Sequence, residues 1–315
     1  MDPAPTILYL GGYGRSGSTV LGRVLGEAPG GVCVGETRYL WSRGLKDDVR
    51  CGCGASVREC ELWTAVGAEA FGGWERLDVE AMVELDRRVV LLRTLPFHWA
   101  PSQRPRFGAA VAFYAATLER LYRAIAAVTG KDLIVDTSKE PNFAAVLTRM
   151  NGLEPLIVHL VRDSRAVAFS WSRLKPDAIG PGDFMPRFGV ADTAGRWSAW
   201  NLAFHALSHR RPPYLRLNYE DFVADPAAAL ARMGDFADRD LTPADADLPT
   251  RRVRLGEHHI FSGNPMRGQS GWTEIRPDER WQAAQSERDF TKVTTITWPL
   301  LRLYGYPTVP AGRRG

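Results

Sequence analysis

Short apolar runs alternate with longer amphipathic ones along the chain, and glycine and proline mark the boundaries. Residues 6–10 (TILYL) are apolar almost throughout and stop at Gly11-Gly12, which predicts a buried strand. Residues 19–27 read as a helix that Pro29-Gly30-Gly31 ends. Further short strands are predicted at 32–34, 131–135 (KDLIV), 156–161 (LIVHLV) and 214–217. Helices are predicted at 78–95, 109–129, 165–173, 193–209 and 226–238, with a last one over 286–304 interrupted at Pro299. Residues 44–60 read as irregular, and 240–280 as a long loop region rich in proline, glycine and charge.

Strands alternating with helices predict an α/β fold. Its central parallel sheet would be covered on both faces, giving three layers with helical insertions. Neither linker nor repeat interrupts the pattern, so residues 1–315 are expected to form one domain. Insertions on the substrate side are expected at about 40–110 and 174–192. In such sheets ligands bind at the carboxyl ends of the strands. The segments after Leu10, Val135, Val161 and Leu217 are therefore where chemistry is expected.

Composition narrows this only a little. With 40 Lys and Arg against 36 Asp and Glu, the net charge of +4 gives no reason to expect a nucleic-acid partner, but it allows local anion pockets. The longest apolar run, about residues 109–116, is far short of the ~20 residues that span a bilayer. The first residues lack a basic segment, so no signal peptide and a cytoplasmic location are expected. Four cysteines are too few for a disulfide scaffold of this length.

The segment from Gly11 to Thr19 (GGYGRSGST) joins a strand to a helix. Glycines turn backbone N–H groups inward, and the helix N-terminus adds positive potential, so the loop is an anion cradle. It is P-loop-like: Gly12, Gly17 and Thr19 fit the spacing of G-x-x-x-x-G-K-[ST], but Ser18 occupies the lysine position. The nearest cation is Arg15, and no strand ends in an obvious magnesium-binding pair. That argues against a nucleotide kinase or NTPase.

Gly14–Leu21 (GRSGSTVL) and Leu160–Ser170 (LVRDSRAVAFS) together resemble the sulfotransferases that use 3′-phosphoadenosine-5′-phosphosulfate (PAPS). The first segment is similar to their 5′-phosphosulfate loop, the second to their 3′-phosphate motif. Leu217–Phe222 (LNYEDF) is similar to the family's Y-E-D segment, and Gly263–Gly268 (GNPMRG) to its late Arg-Gly element. The likeness runs in order over about residues 6–305. Gly35-Glu36-Thr37-Arg38 resembles the G-E-E-T-R segment of tyrosylprotein sulfotransferases, one glutamate short, and Lys139 sits where that group has a catalytic lysine. The Lys-Thr-His motif of the steroid and phenol enzymes has no clear counterpart. The likeness implies the reaction and leaves the acceptor open: a small molecule, natural product or glycolipid hydroxyl is expected, with PAPS as co-substrate and no metal.

The same resemblance assigns roles. Arg15 and the backbone of Ser16, Gly17, Ser18 and Thr19 would hold the 5′-phosphosulfate, with the Ser18 and Thr19 hydroxyls as further donors. Arg162, at a strand end, and Ser170, two helical turns on, would share the 3′-phosphate with Arg267 and Gly268, since a guanidinium pairs bidentately with phosphate. Tyr219 would contact adenine. Glu36 would be the base, and Lys139 would face the bridging oxygen.

Other candidates read as structural. His159 lies inside an apolar strand and is expected to be a satisfied core histidine; His258 and His259, in the late loop, could line an acceptor site. Cys51, Cys53 and Cys60 suggest part of a metal site, but no histidine is near in sequence, and Cys33 could join only if the chain folds back. A thiol cluster or an adventitious disulfide is the expectation. Trp63, Trp74 and Trp99 are expected to pack an insertion core. The competing functions are a P-loop kinase or NTPase with an altered lysine, and a phosphonucleotide-binding protein without turnover.

Overall fold

The computed structural model describes residues 4–174, 185–210, 212–264 and 268–308. Five strands, β1 (Thr6–Gly11), β2 (Gly31–Gly35), β3 (Leu133–Lys139), β4 (Pro155–Val161) and β5 (Tyr214–Asn218), form a parallel sheet in the order β2-β3-β1-β4-β5. Alternate residues explain why the inner strands are apolar throughout. Ile7, Tyr9, Ile134 and Ile157 enter the core on one face, and Leu8, Leu10, Val135, Val158 and Leu160 the core on the other.

Twelve α-helices flank the sheet among the described residues: α1 (Ser18–Gly26), α2 (Glu61–Phe71), α3 (Val79–Val89), α4 (Leu95–Trp99), α5 (Pro105–Thr129), α6 (Pro141–Leu147), α7 (Ser164–Ser172), α8 (Val190–Ser208), α9 (Tyr219–Ala224), α10 (Pro226–Ala237), α11 (Arg280–Ala284) and α12 (Glu287–Leu303). Helices α1, α9 and α10 bury Leu21, Leu25, Phe222 and Met233 on one face. Helices α5, α6 and α8 bury Tyr122, Phe143 and Phe204 on the other. This is the three-layer α/β arrangement the pattern predicts. No helix is long and apolar enough to cross a membrane among the described residues.

The differences from expectation have local causes. The helix predicted over 78–95 stops at Val89, where Thr94 Oγ1 donates to the carbonyls of Val89 (3.0 Å) and Leu91 (2.6 Å) and turns the chain. Strand β3 runs four residues past Val135, because its polar end Asp136-Thr137-Ser138 is buried and hydrogen-bonded. Helix α12 continues through Pro299, held on both sides of it by buried Val293, Thr297, Leu300 and Leu301. Residues 240–280 are not simply a loop. They contain an antiparallel sheet, β6 (Ala246–Asp247), β7 (Arg252–Leu255) and β8 (Gly271–Glu274), whose Val253 and Leu255 pack into the α1-side core. Trp63 and Trp74 are buried, in a core that the 40–110 segment shares with Ile7, Tyr9 and Ile134 of the sheet rather than in an insertion core of its own.

Candidate active site

A cavity of about 1030 Å³ opens at the carboxyl edge of the sheet. Its floor is the loop from β1 to α1. Gly12 has φ 134°, and Gly17 has φ 88° as the N-cap of α1. A Cβ at Gly17 would come under 3.0 Å from the Tyr219 ring, so that position takes only glycine without a rearrangement. Gly17, Ser18 and Thr19 line the cavity, presenting the helix N-terminus to it. Ser16 is buried, and its hydroxyl donates to the Tyr13 carbonyl at 2.7 Å, bracing the loop from below.

Arg15 sits in the left-handed region with φ 73°. Its guanidinium lies 4.7 Å over the Trp171 ring and donates through Nη2 to Met185 Sδ at 2.9 Å, while Trp171 Nε1 donates to the Gly14 carbonyl at 3.1 Å. Arg162 follows β4 and is 6% exposed. It donates through Nη1 to the Arg15 carbonyl (3.0 Å) and through Nη2 to the Asp278 carbonyl (3.1 Å). Its Nε is buried with no hydrogen-bond partner among the described residues. The Tyr219 ring lies under this guanidinium at 4.5 Å, so one face of the tyrosine is taken. Asp163, the nearest acid in sequence, instead pairs with Arg165 at 2.6 Å and caps α7. The acid beside Arg162 is Asp278, 3.7 Å away, whose pKa falls to about 2 through its hydrogen bond to Arg280 and the charge of Arg162. Ser170, on α7, is buried and lines the cavity.

The opposite wall is built at the ends of β2 and β3. Glu36 is 6% exposed, and its carboxylate is ion-paired with Lys139 Nζ. Ser262 Oγ donates to Glu36 Oε2 at 3.2 Å, and Lys139 Nζ also donates to the Thr137 carbonyl at 3.1 Å. Lys139 too is left-handed, with φ 69°. Underneath lies Asp136, fully buried, which accepts from the Tyr122 hydroxyl (2.6 Å), the Ser138 N–H (2.7 Å) and the Thr37 hydroxyl. Burial raises the pKa of Asp136, and these donors hold it down in turn. Arg38 pairs with Glu140 at 2.8 Å; burial pushes the Glu140 carboxyl up to about 7 against the pull of that arginine.

The structure thus brings Glu36, Lys139, Arg15, Gly17, Ser18, Thr19, Arg162, Ser170 and Tyr219 to one cavity. Gly268 is exposed and does not line it, and Arg267 lies outside the described residues. His159 is the core histidine expected: Tyr214 and Asn201 hydrogen-bond its two ring nitrogens at 2.6 and 2.8 Å, and burial lowers its pKa to about 3. His258 and His259 do not line the cavity. Of residues 40–110, Arg43 alone among the described residues reaches its wall. Sequence reasoning missed Asp136, Ser262, Trp171 and Asp278. The D-T-S-K run at a strand end was a signal for Asp136; the others depend on tertiary placement.

The sequence profile of the sulfotransferase family matches residues 8–243. The chain belongs to the sulfotransferase family. Solved structures share the fold to differing degrees. The sulfotransferase domain of the Synechococcus PCC 7002 olefin synthase superimposes with a TM-score of 0.53 at 20% identity, over 98% of this chain and 97% of that one. The sulfotransferase domain of the curacin biosynthetic pathway gives 0.49 at 16% identity, over 98% and 100%. No curated protein matches the sequence.

Proposed function

We propose that this sulfotransferase moves a sulfuryl group from PAPS to a hydroxyl of a small-molecule, natural-product or glycolipid acceptor, with Glu36 as base. The observation that carries the reading is a single one: the α1 N-terminal cradle, the buried Arg162 and the Glu36–Lys139 pair share one cavity.

The residues present fit the donor. The unpartnered Nε of Arg162 is a buried cationic group that lacks an acceptor. PAPS, when bound, supplies the activated sulfuryl group. The N–H groups of Gly17, Ser18 and Thr19, with Arg15, would hold the 5′-phosphosulfate end. Arg162 and Ser170 would hold the 3′-phosphate. Tyr219, with one face under Arg162 and one edge on Gly17, orients that guanidinium and would meet adenine only through the part that lines the cavity. Glu36 accepts the acceptor's hydroxyl proton at its carboxylate, held in place by Ser262. Lys139 and Arg15 face the charge that develops on the transferring and leaving oxygens. Met185, Pro186 and Phe188, from the 174–192 segment, give the acceptor side an apolar wall.

Calorimetric titration with 3′-phosphoadenosine-5′-phosphate tests the donor site, with and without magnesium and with ATP as the control. Metal-independent binding is expected. It should weaken about 10- to 150-fold in Arg162→Ala, the value of a charge-assisted hydrogen bond of ~1.5–3 kcal/mol. Magnesium-dependent ATP binding in its place would favour a P-loop kinase and overturn the reading. Donor binding without transfer to any of a broad acceptor panel would favour a binding protein.

A further inference from the structure

Outside the cavity, three cysteines and a histidine converge. Cys51, Cys53 and Cys60 meet His259, which comes 199 residues after Cys60 in the chain, and their four ligand atoms lie within 4.8 Å of one another. The Sγ atoms of Cys53 and Cys60 are 3.7 Å apart, and His259 Nδ1 stands 3.1 Å from Cys60 Sγ and 3.9 Å from Cys51 Sγ. Tetrahedral zinc with Zn–S ~2.3 Å and Zn–N ~2.0–2.1 Å sets S···S edges of ~3.8 Å and S···N edges of ~3.6 Å. The 3.7 Å and 3.9 Å separations lie close to those edges, the 3.1 Å one is shorter, and all four atoms stay within 4.8 Å. A disulfide would use two of the sulfurs at ~2.05 Å and leave the third thiol and the imidazole aimed at nothing.

The backbone is arranged to deliver these donors. Cys51 and Cys53 sit on a tight knuckle, in which the Cys51 N–H donates to the Ala55 carbonyl (2.8 Å) and the Gly54 N–H to the Cys51 carbonyl (3.0 Å). Gly54 is left-handed, with φ 95°. Gly52 has no room for a Cβ against His258, so the knuckle lies directly on the histidine segment. Cys60 is the N-cap residue of α2, and Trp63 Nε1 donates to the His259 carbonyl at 2.9 Å. Cys33 stands apart on β2.

We propose that Cys51, Cys53, Cys60 and His259 bind a structural zinc ion. Three thiolates and one neutral imidazole fill four coordination positions and leave none for a substrate, which marks a closed, structural site. Binding Zn²⁺ displaces the thiol protons and leaves a net charge of −1. The ion ties the 50–60 segment to residues 257–262. Phe261 packs on Trp63 with ring centroids 5.3 Å apart, and Ser262 holds both Glu36 and, at 3.2 Å, Arg43. The metal therefore anchors the strand of chain that positions Glu36; this link to the reaction rests on the function proposed above, and the metal site itself does not.

The test is the metal content of the full-length protein purified from zinc-supplemented medium, with intact mass to read thiol oxidation. About one zinc per chain is expected. It should be retained in Cys33→Ser and lost in Cys53→Ser, an exposed position whose change spares the core. Titrating the reduced, metal-stripped wild type with Co²⁺ should give the intense visible bands of a tetrahedral thiolate site and raise the melting temperature. The proposal is overturned by a wild type that binds neither zinc nor cobalt, by a mass showing a disulfide, or by zinc that survives Cys53→Ser. Phosphoadenosine binding is measured on the same samples. Zinc without nucleotide binding would sink the functional reading alone, and the reverse would sink the metal site alone.

Discussion

Replacing Gly17 by alanine adds one methyl group at the point where the cradle, Tyr219 and Arg162 meet. The backbone there has φ 88°, which costs an L-residue about 1–2 kcal/mol. The new Cβ would come under 3.0 Å from Tyr219 Cδ2 and Cε2. The ring cannot swing freely, because Arg162 covers it at 4.5 Å and is itself tied to the Arg15 and Asp278 carbonyls. Overpacking of this kind adds about 1–3 kcal/mol, so the whole change should cost about 2–5 kcal/mol of stability. The ring's displacement carries Arg162 with it. If one charge-assisted hydrogen bond to the nucleotide is lost, affinity for 3′-phosphoadenosine-5′-phosphate falls about 10- to 150-fold. Urea unfolding and calorimetric titration of Gly17→Ala, Tyr219→Ala and the double variant form a cycle. With the ring gone, Gly17→Ala should retain only its backbone cost, giving a coupling of about 1–3 kcal/mol. Additive effects would refute the steric chain from Gly17 through Tyr219 to Arg162.

Glu36→Gln should lower kcat about 10²- to 10⁴-fold with any acceptor that turns over, and leave phosphoadenosine affinity within about twofold. Retention of most of kcat would remove Glu36 as the base. His159 has a pKa near 3, below its ordinary 6.5, so the unfolded chain binds its proton first and stability is lost as pH falls below 6.5. From pH 6.5 to 5 this amounts to about 2 kcal/mol. Glu140, raised to about 7, acts in the opposite sense over pH 4.5–7, but it is common to wild type and His159→Gln and cancels in their difference. Urea unfolding should show the variant less stable at pH 7 and the gap narrowed by about 2 kcal/mol at pH 5; an unchanged gap would mean that His159 charges in the folded state.

The sheet and the phosphate loop were legible because both are local. A run such as TILYL followed by glycines declares a buried strand and a turn without reference to the rest of the chain. Arg162 and Ser170 were legible for the same reason, since a strand end and two helical turns fix their spacing. What escaped depends on long-range placement. Asp278 reaches Arg162 across 116 residues, and Ser262 reaches Glu36 across 226. The cysteines could not reveal His259, because the fourth donor arrives from the far end of the chain. Tyr219 was visible as an aromatic at a strand end, but not that its face is occupied by Arg162. The small sheet in 240–280 was hidden because its strands are two to four residues long.

Arg15 and Lys139 carry the two cations nearest the proposed reaction, and both are held in a backbone shape that non-glycine residues avoid. Each pays roughly 1 kcal/mol for it, close to what a glycine there would lose in unfolded-chain entropy. Glycine at 15 should therefore cost little beyond the Trp171 stack and the Met185 bond, whereas glycine at 139 would also leave the buried Glu36 carboxylate without its partner. A mutational scan scored separately for abundance and for turnover would set these two positions apart: glycine at 15 would pass the first screen and fail the second, and glycine at 139 would fail both. Selection for expression alone would thus erode the site at position 15 without any warning from the fold.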